Sequence, residues 1–310
     1  MRIAWCFPGQ GSQYVSMGKE LAERFRSARE VFERADQALG AKISTICFEG
    51  PEAELTLTRN TQPAIVTASL AALAALKEAI DLPAPACAAG HSLGEYSALV
   101  AASALRLEDA VTVVRLRGEA MQDAVPAGTG AMAAIMGITP EKLAAICEQA
   151  REDEVVSPAN FNAPGQIVIA GHAGAVGRAS KLVQEQQGKA VPLKVSAPFH
   201  CSLMALAAKK LGERLQEVPV AALEFPVIPN VDARPNRDDT RIKELLVQQV
   251  DHPVRWEETV RAMASDGVTH ILEIGPGKVL AGLIRRIAKE IEVLSVGTPE
   301  GIEAASKFLS

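Results

Sequence analysis

The sequence predicts an α/β protein, with a large domain around a mainly parallel sheet and a small α+β domain inserted into it. Over most of the 310 residues, segments of helical periodicity alternate with short β-branched runs, a pattern typical of parallel sheets covered by helices. A block near the middle follows another order: strand, helix, strand, strand, helix, strand, which is the ferredoxin-like order. We therefore expect a doubly wound large domain that a ferredoxin-like domain interrupts.

The elements of the large domain follow from apolar runs and from periodicity. The N-terminal run MRIAWCF carries one basic residue and breaks at Pro8, which predicts a first strand rather than a signal sequence. Strands are expected near residues 2–7, 86–90, 226–229, 269–274 and 292–295. Helices are expected near residues 18–36, 62–79, 93–103, 107–124, 201–217, 239–250, 257–266 and 277–289.

The inserted domain is predicted at residues 128–196, which leaves 1–127 and 197–310 for the large domain. The turn-forming segments VPAGTG and SAPFH bracket it. Between these turns, four runs predict strands: GAMAAIMGI, EVVSPANF, GQIVIAGH and AVPLKV. Two periodic segments predict helices: TPEKLAAICEQAR and GAVGRASKLVQEQQG.

The composition excludes several classes of function. The net charge of −5 argues against nucleic acid or an anionic membrane as the main partner. No apolar run approaches the ~20 residues of a membrane span. The five cysteines are odd in number and show no paired spacing, so neither a disulfide framework nor a zinc site is indicated. We expect a protein of the reducing cytoplasm.

The segment GHSLG at 90–94 predicts a nucleophile. An apolar strand runs into it and a helical pattern leaves it, as in a nucleophile elbow, where a serine stands exposed on a sharp turn. Ser92 would then lie at a helix N-terminus, with the Leu93 N–H as the first donor to an oxyanion. The alternative is a helix cap, in which Ser92 and Glu95 form a capping box.

A nucleophilic serine needs a base, and the chain contains five histidines: His91, His172, His200, His252 and His270. His200 is the best candidate because it lies in the breaker-rich SAPFHCSLM, where the chain re-enters the large domain. His252, before a proline, is second. His91 is next to the serine and is expected to point away from it. Cys201 follows His200 directly, so the two side chains are not expected to face each other.

Arg117 falls on the apolar face of the predicted helix at 107–124, whereas Arg115 falls on the polar face. A guanidinium turned toward the interior keeps its charge and must find an anion. That anion is either a protein carboxylate, in an internal salt bridge, or the carboxylate of a substrate. A lipase or thioesterase for apolar acyl chains would have little use for such a group.

Motifs in the same order across nearly the whole chain resemble the malonyl-CoA:acyl carrier protein transacylases of the stand-alone bacterial type. They are FPGQGSQ at 7–13, GHSLGEYSAL at 90–99, RGEAMQ at 117–122, GAMAAI at 130–135, NFNAPGQIVIAG at 160–171, SAPFHC at 196–201, PNVDA at 229–233 and EIGPGKVL at 273–280. The resemblance implies a hydrolase-like large domain with an inserted ferredoxin-like domain. It also implies a serine and histidine dyad rather than a triad with an acid.

The resemblance implies a role for each matching residue. Ser92 corresponds to the nucleophile, His200 to its general base and Arg117 to the arginine that pairs with the free carboxylate of malonate. The main-chain N–H groups of Gln10 and Leu93 would form the oxyanion hole. Gln249 matches the glutamine whose main-chain carbonyl orients the histidine, although the neighbouring Gln248 allows an alignment one residue away.

The implied reaction moves malonate from coenzyme A to the phosphopantetheine thiol of acyl carrier protein through a malonyl-serine, in fatty acid synthesis. No metal or other cofactor is implied, and we expect a monomer. The partners carry phosphates and acidic surfaces, so a local basic rim is expected, although lysines of this kind are also common on solvated surfaces. The candidates are Lys181, Lys189, Lys194, Lys209 and Lys210.

Three alternatives stay open at this point. A serine hydrolase or thioesterase would share Ser92 and His200 but would not need Arg117. A trans-acting acyltransferase of a polyketide synthase, or the acyltransferase subunit of malonate decarboxylase, would share every motif. A nucleotide-binding turn at GPGKVLAG, residues 275–282, lacks the Gly-x-Gly-x-x-Gly spacing, so a tight strand-to-helix turn accounts for its glycines.

Overall fold

The computed structural model describes residues 1–126, 128–193, 195 and 197–310. Within these residues the strands are β1 (Ile3–Phe7), β2 (Cys87–Gly90), β3 (Gly130–Met136), β4 (Val156–Ala163), β5 (Gln166–His172), β6 (Lys189–Pro192), β7 (Val227–Ile228), β8 (His270–Ile274) and β9 (Glu292–Val296). They form one parallel and one antiparallel sheet, which confirms the predicted fold class.

The helices of the described residues precede, follow and cover these strands. They are α1 (Lys19–Arg24), α2 (Arg26–Leu39), α3 (Ile43–Glu49), α4 (Glu52–Thr56), α5 (Thr58–Ala79), α6 (Gly94–Ala101), α7 (Leu107–Asp123), α8 (Pro140–Arg151), α9 (Ala173–Glu185), α10 (Ala205–Gln216), α11 (Ile242–Asp251), α12 (Trp256–Ser265), α13 (Val279–Ile287) and α14 (Pro299–Phe308). Short 3₁₀ turns precede α10 and α11. None of the described helices is both long and apolar enough to cross a membrane.

The parallel sheet has the strand order β7-β2-β1-β8-β9, and every neighbouring pair is parallel. β1 and β2 are buried along their whole length, which explains their continuous apolar sequences. Phe7 at the end of β1 pairs with Gly90 at the end of β2. The loop that carries Gln10 and the turn that carries Ser92 therefore leave the sheet side by side at its carboxyl edge, where ligands of such sheets bind.

The antiparallel sheet has the order β4-β5-β3-β6, with α8 and α9 packed against one face. This is the ferredoxin-like topology. Its side chains alternate with the period of a strand. Ile167 and Ile169 of β5 face the two helices, whereas Val168 and Met132 face the core of the parallel sheet. The small sheet thus presents one apolar face toward the carboxyl edge of the large one.

Main-chain hydrogen bonds join β4 of the small sheet to the segment between α11 and α12. The Phe161 N–H donates to the Val254 carbonyl at 2.8 Å, and the Val254 N–H donates to the Ala159 carbonyl at 2.9 Å. The predicted boundaries of the inserted domain involve Ala127 and Ser196, which lie outside the described residues. The division into domains at these positions therefore stays a prediction.

Some helical predictions were wrong in detail. The segment 18–36 forms two helices, because Phe25 has an extended backbone (φ −115°, ψ 124°) that separates α1 from α2. α5 begins at Thr58 rather than at 62, with Pro63 inside it. Three helices were not predicted: α3 and α4 have only 7 and 5 residues, too few to show a helical period, and α14 lies at the C-terminus.

Candidate active site

Ser92 occupies a sharp turn between β2 and α6. Its φ of 52° lies in the left-handed region, which is strained for a residue with a Cβ atom and is concentrated at functional sites. The turn requires both flanking glycines. A Cβ atom on Gly90 would lie 1.9 Å from the Gly94 carbonyl carbon, and one on Gly94 would lie 2.3 Å from the Phe7 carbonyl oxygen. The close approach of strand and helix explains the Gly-x-Ser-x-Gly spacing.

The Ser92 side chain does not cap the helix that follows it. Its Oγ lies 2.8 Å from His200 Nε2, and it accepts a hydrogen bond from Arg117 Nη2 at 3.2 Å. The N-terminus of α6 has no side-chain cap. The Glu95 carboxylate accepts hydrogen bonds from the Asn230 N–H and the Gln249 side chain instead of forming a capping box. The hydroxyl therefore faces a base and a cation.

His200 is buried at the turn that leads into α10 and, like Ser92, has a positive φ, here 59°. Its Nδ1 lies 2.8 Å from the Gln249 main-chain carbonyl, which can only accept, so Nδ1 carries the proton and Nε2 is free to accept one from Ser92. Burial, and next the positive charge of Arg117, lower the pKa of His200 to about 3, while the hydrogen bond to Gln249 opposes the shift. The imidazole is neutral at pH 7.

The other four histidines have different partners. His91 Nε2 lies 2.8 Å from Asn162 Oδ1 of β4, as expected for a side chain that points away from the serine. His172 accepts from the Val155 N–H, His252 is exposed beside Asp251, and His270 packs against Phe308. The Cys201 thiol donates to the Pro198 carbonyl at 3.1 Å rather than pairing with His200.

Arg117 is 2% exposed and is held by neutral oxygen atoms. Nη1 donates to Gln62 Oε1 at 2.8 Å, and Nη2 donates to Gln249 Oε1 at 2.9 Å and to Ser92 Oγ. No carboxylate of the described residues forms a salt bridge with it. A buried cation with only neutral partners favours an anionic ligand, so the internal salt bridge considered above is absent from this part of the chain.

Gln249 lies near the end of α11 and connects three parts of the site. Its main-chain carbonyl meets His200, and its side-chain Oε1 accepts from Arg117. Its Nε2 donates to the Ser92 carbonyl at 3.0 Å. The neighbouring Gln248 instead donates to Glu244. The geometry thus distinguishes the two glutamines that the sequence leaves ambiguous.

Three buried residues of the site were not predicted as site residues: Gln62, Glu95 and Asn230. The Asn230 side chain accepts from the Ser92 N–H and donates to the Gly90 carbonyl, both at 2.7 Å, and so spans the elbow. Gln62 could have been noticed as a long polar side chain in the otherwise apolar TQPAIVTASLAAL. Asn230 lies in the quoted PNVDA motif, but nothing local indicates its partners.

A cavity of about 160 Å³ opens in front of Ser92. Gln10, Leu93, Arg117 and His200, from loops and helices around the large sheet, line its wall together with Met132 and Val168 of the small sheet. Among the hydrogen bonds of the described residues, the Gln10 and Leu93 N–H groups have no acceptor. Two unused donors at the cavity wall are what an oxyanion hole requires.

The glycine-rich turn at 275–282 is not available to a phosphate. The buried Glu273 carboxylate accepts hydrogen bonds from the N–H groups of Leu280 and Ala281 at 2.8 and 3.0 Å, at the start of α13. A protein carboxylate thus takes the place that a nucleotide phosphate would need. Among the described residues, no group of three or more His, Cys, Asp or Glu side chains could hold a metal ion.

The lysines expected to form a basic rim are exposed where the structure describes them. These are Lys181, Lys189, Lys209 and Lys210. Lys194 lies outside the described residues. Exposure is compatible both with a docking rim and with an ordinary solvated surface.

Comparisons with known proteins show the family to which the chain belongs. The sequence model of one protein family, described as the acyl transferase domain, matches residues 4–301. The malonyl CoA-acyl carrier protein transacylase of Bacillus subtilis is 49% identical over 99% of this chain and 97% of its own. The structure of an acyl-carrier-protein S-malonyltransferase from Bartonella henselae has a TM-score of 0.97 at 47% identity and covers 100% of this chain and 99% of its own.

A further similar structure is PlMCAT, a malonyl-transacylase in complex with AntF, its type II polyketide synthase acyl carrier protein. Its TM-score is 0.96 at 42% identity, over 99% of this chain and 100% of that one. These three proteins are more than 40% identical to this chain over nearly complete lengths. The chain therefore belongs to the acyl transferase domain family and, within it, to the malonyl CoA-acyl carrier protein transacylases.

Proposed function

We propose that the protein transfers the malonyl group from malonyl-CoA to the phosphopantetheine thiol of acyl carrier protein through a malonyl ester of Ser92. The observation that carries this proposal is the position of Arg117, a buried cation that forms no salt bridge within the described residues and lies 3.2 Å from the Ser92 hydroxyl. In a malonyl thioester the carboxylate carbon is only about 2.5 Å from the reacting carbonyl carbon. Because these two carbons are so close, a guanidinium next to the nucleophile can pair with the carboxylate while the carbonyl is attacked.

In the first half-reaction, Ser92 Oγ attacks the thioester carbonyl while His200 Nε2 takes the hydroxyl proton. The N–H groups of Gln10 and Leu93 donate to the oxyanion of the tetrahedral intermediate. When the intermediate collapses, the C–S bond breaks and the His200 imidazolium returns the proton to the coenzyme A thiolate. The 2.8 Å contact between Oγ and Nε2 supports this proton transfer.

In the second half-reaction, the carrier protein thiol gives its proton to His200 and attacks the malonyl-serine ester. The same N–H groups of Gln10 and Leu93 stabilise the oxyanion of the second tetrahedral intermediate. When this intermediate collapses, the C–O bond to Ser92 breaks and the His200 imidazolium returns the proton to Ser92 Oγ. Arg117 holds the carboxylate in both halves, so the carbonyl stays in line while the two thiols exchange. The neutral His200 at pH 7 is supported by the lowering of its pKa to about 3.

The proposed chemistry uses two thioester carriers and no further cofactor. We also propose that it takes place in the cytoplasm, because all five cysteines lie in the described part of the chain and are buried with free thiols. The pathway we propose is fatty acid synthesis. The similarity to PlMCAT, whose partner is a polyketide synthase carrier protein, favours polyketide synthesis as the second candidate.

Intact-protein mass spectrometry tests the reaction. Wild-type protein incubated with malonyl-, methylmalonyl- or acetyl-CoA should gain a malonyl adduct most rapidly, and Ser92→Ala should gain none. An adduct that persists in Ser92→Ala would show that the nucleophile is another residue. Rapid release of free malonate without any thiol acceptor would indicate a hydrolase.

A panel of carrier proteins tests the acceptor. The wild-type malonyl adduct is mixed with carrier proteins of fatty acid and polyketide systems, and loss of the adduct is timed. We expect fastest transfer to a fatty acid carrier protein. Faster transfer to polyketide carriers would assign the protein to the second candidate.

A further inference from the structure

Glu95 is a buried carboxylic side chain within the site for which the proposed mechanism has no use. It is 2% exposed and forms no salt bridge within the described residues. Its Oε2 accepts the Asn230 main-chain N–H at 2.9 Å and the Gln249 side-chain amide at 2.7 Å. Burial of a carboxyl group costs free energy unless hydrogen bonds compensate for it, so the role of Glu95 is sought in these two hydrogen bonds.

The hydrogen bond to Gln249, on α11, indicates that role. The Gln249 NH₂ group has two protons, and it uses them for the Ser92 carbonyl and for Glu95 Oε2. Its Oε1 is thereby turned to Arg117 Nη2, which it accepts at 2.9 Å. With the amide reversed, Oε1 would face two acceptors and the NH₂ group would face the guanidinium. Glu95 and the Ser92 carbonyl thus select one orientation of this amide.

We propose that Glu95 is a positioning residue: by fixing the Gln249 amide, it holds Arg117 in the place where the guanidinium meets the substrate carboxylate. This proposal rests on the proposed malonyl transfer. Glu95 does not line the cavity in front of Ser92. Its effect reaches the substrate through one hydrogen bond to Gln249 and the next to Arg117.

The proposal predicts an effect on the choice of acyl group. With acetyl-CoA, which has no carboxylate, Arg117 contributes only its contact with Ser92 Oγ, whereas with malonyl-CoA it also pairs with the substrate carboxylate. Loss of the Glu95 acceptor should therefore slow malonylation of Ser92 more than acetylation. A purely structural role, such as support of the elbow through Asn230, would lower both rates by the same factor.

Single-turnover rates of Ser92 acylation by malonyl- and acetyl-CoA, read by intact-protein mass spectrometry, provide the test. Glu95→Leu removes the acceptor, and we expect a malonylation rate about 10- to 100-fold lower with a smaller loss of acetylation. Glu95→Gln keeps an acceptor oxygen and should restore malonylation to within about threefold of wild type. Ser97→Ala, a buried control on the same helix, should leave both rates unchanged.

Two further variants keep the test decisive. Glu95→Asp shortens the reach to Gln249 and should also lose malonylation selectively, so it replaces Glu95→Leu if that variant does not fold. Gln249→Met removes the amide and keeps the main-chain carbonyl. In that background Glu95→Gln and Glu95→Asp should no longer differ, because the route to Arg117 is already interrupted.

The result that overturns the proposal is an unchanged ratio of malonylation to acetylation in Glu95→Leu or, if that variant does not fold, in Glu95→Asp. This result is distinct from failure of the proposed function, in which wild-type protein itself would form no malonyl-serine. A melting curve for each variant separates a loss of folded protein from a loss of rate.

Discussion

Arg117 Nη2 donates a hydrogen bond to Ser92 Oγ at 3.2 Å, although the same oxygen lies 2.8 Å from the base His200. The cation therefore contacts the nucleophile before any substrate binds. Its charge stabilises an alkoxide on Oγ, and it also makes protonation of His200 less favourable. A bound carboxylate would occupy this guanidinium and neutralise it. Binding of an anionic acyl group therefore weakens both effects: the alkoxide loses part of its stabilisation, and His200 becomes easier to protonate.

Replacement of Arg117 should lower the rates of malonylation and acetylation of Ser92 to different extents. We expect Arg117→Ala to slow malonylation of Ser92 by about 100-fold or more, because a charge-assisted pair with the substrate is lost, and to slow acetylation much less. Rates of adduct formation measured by mass spectrometry check this. Arg115→Ala, two residues earlier on α7 and only partly buried, should change neither rate. An equal loss of rate with malonyl- and acetyl-CoA would contradict the proposal that Arg117 binds the substrate carboxylate.

The pH dependence of His200 should respond to the same charge. Burial is the main cause of its low pKa and the Arg117 charge is the next, so Arg117→Gln should raise the pKa of His200 from about 3 toward its ordinary value of about 6.5. More of the base is then protonated at pH 5, and Ser92 acetylation should fall there in the variant while it persists in wild type. An NMR titration of the His200 ring measures the shift directly; a pKa that stays the same or falls would refute the coupling.

Much of the fold was predictable because its elements carry local signals. The small sheet illustrates this: β3 and β5 are short apolar runs, GAMAAIM and QIVIAGH, and α8 begins at Thr139-Pro140-Glu141, where the Thr139 side chain caps the helix. The same three residues recur at Thr298-Pro299-Glu300, and Thr298 caps α14 in the same way. That helix could have been predicted from this signal. α3 and α4 could not, because a single turn or two of helix is decided by packing rather than by periodicity.

The site was predictable where a residue breaks a local pattern. Ser92 stands between glycines at a strand end, and Arg117 interrupts an apolar helix face. The sequence around Glu95 instead predicts a structural role, because an acidic residue three positions after a serine is the pattern of a capping box. Its actual partners, Asn230 and Gln249, are more than 130 residues away in sequence. Such pairs depend on how the chain folds back, which no local pattern contains.

Asn230 should matter to the elbow as a whole. Asn230→Ala leaves the Ser92 N–H and the Gly90 carbonyl without their 2.7 Å partners, and we expect the free energy of unfolding to fall by about 2 to 4 kcal/mol. Malonylation and acetylation should slow by similar factors, since the nucleophile itself is misplaced. Denaturant unfolding and adduct formation measure the two effects. Asn236→Ala, which removes only contacts with Asp238, is the matched control and should leave both rates intact.

The tight passage of α6 past β1 should be the least tolerant of added volume. In Gly94→Ala the new Cβ atom would lie 2.3 Å from the Phe7 carbonyl oxygen and 2.7 Å from that of Pro8, and both belong to the backbone that leads to Gln10. We expect a loss of about 1 to 3 kcal/mol in the free energy of unfolding and slower acylation with both thioesters, because elbow and oxyanion hole move apart. Gly282→Ala, within α13, meets no atom within 4 Å and should stabilise the protein by roughly 0.5 to 1 kcal/mol without a change in rate. Thermal unfolding of the two variants gives the comparison. Normal acylation by a folded Gly94→Ala would show that the elbow can relax without disturbing the oxyanion donors, and that their spacing is set elsewhere.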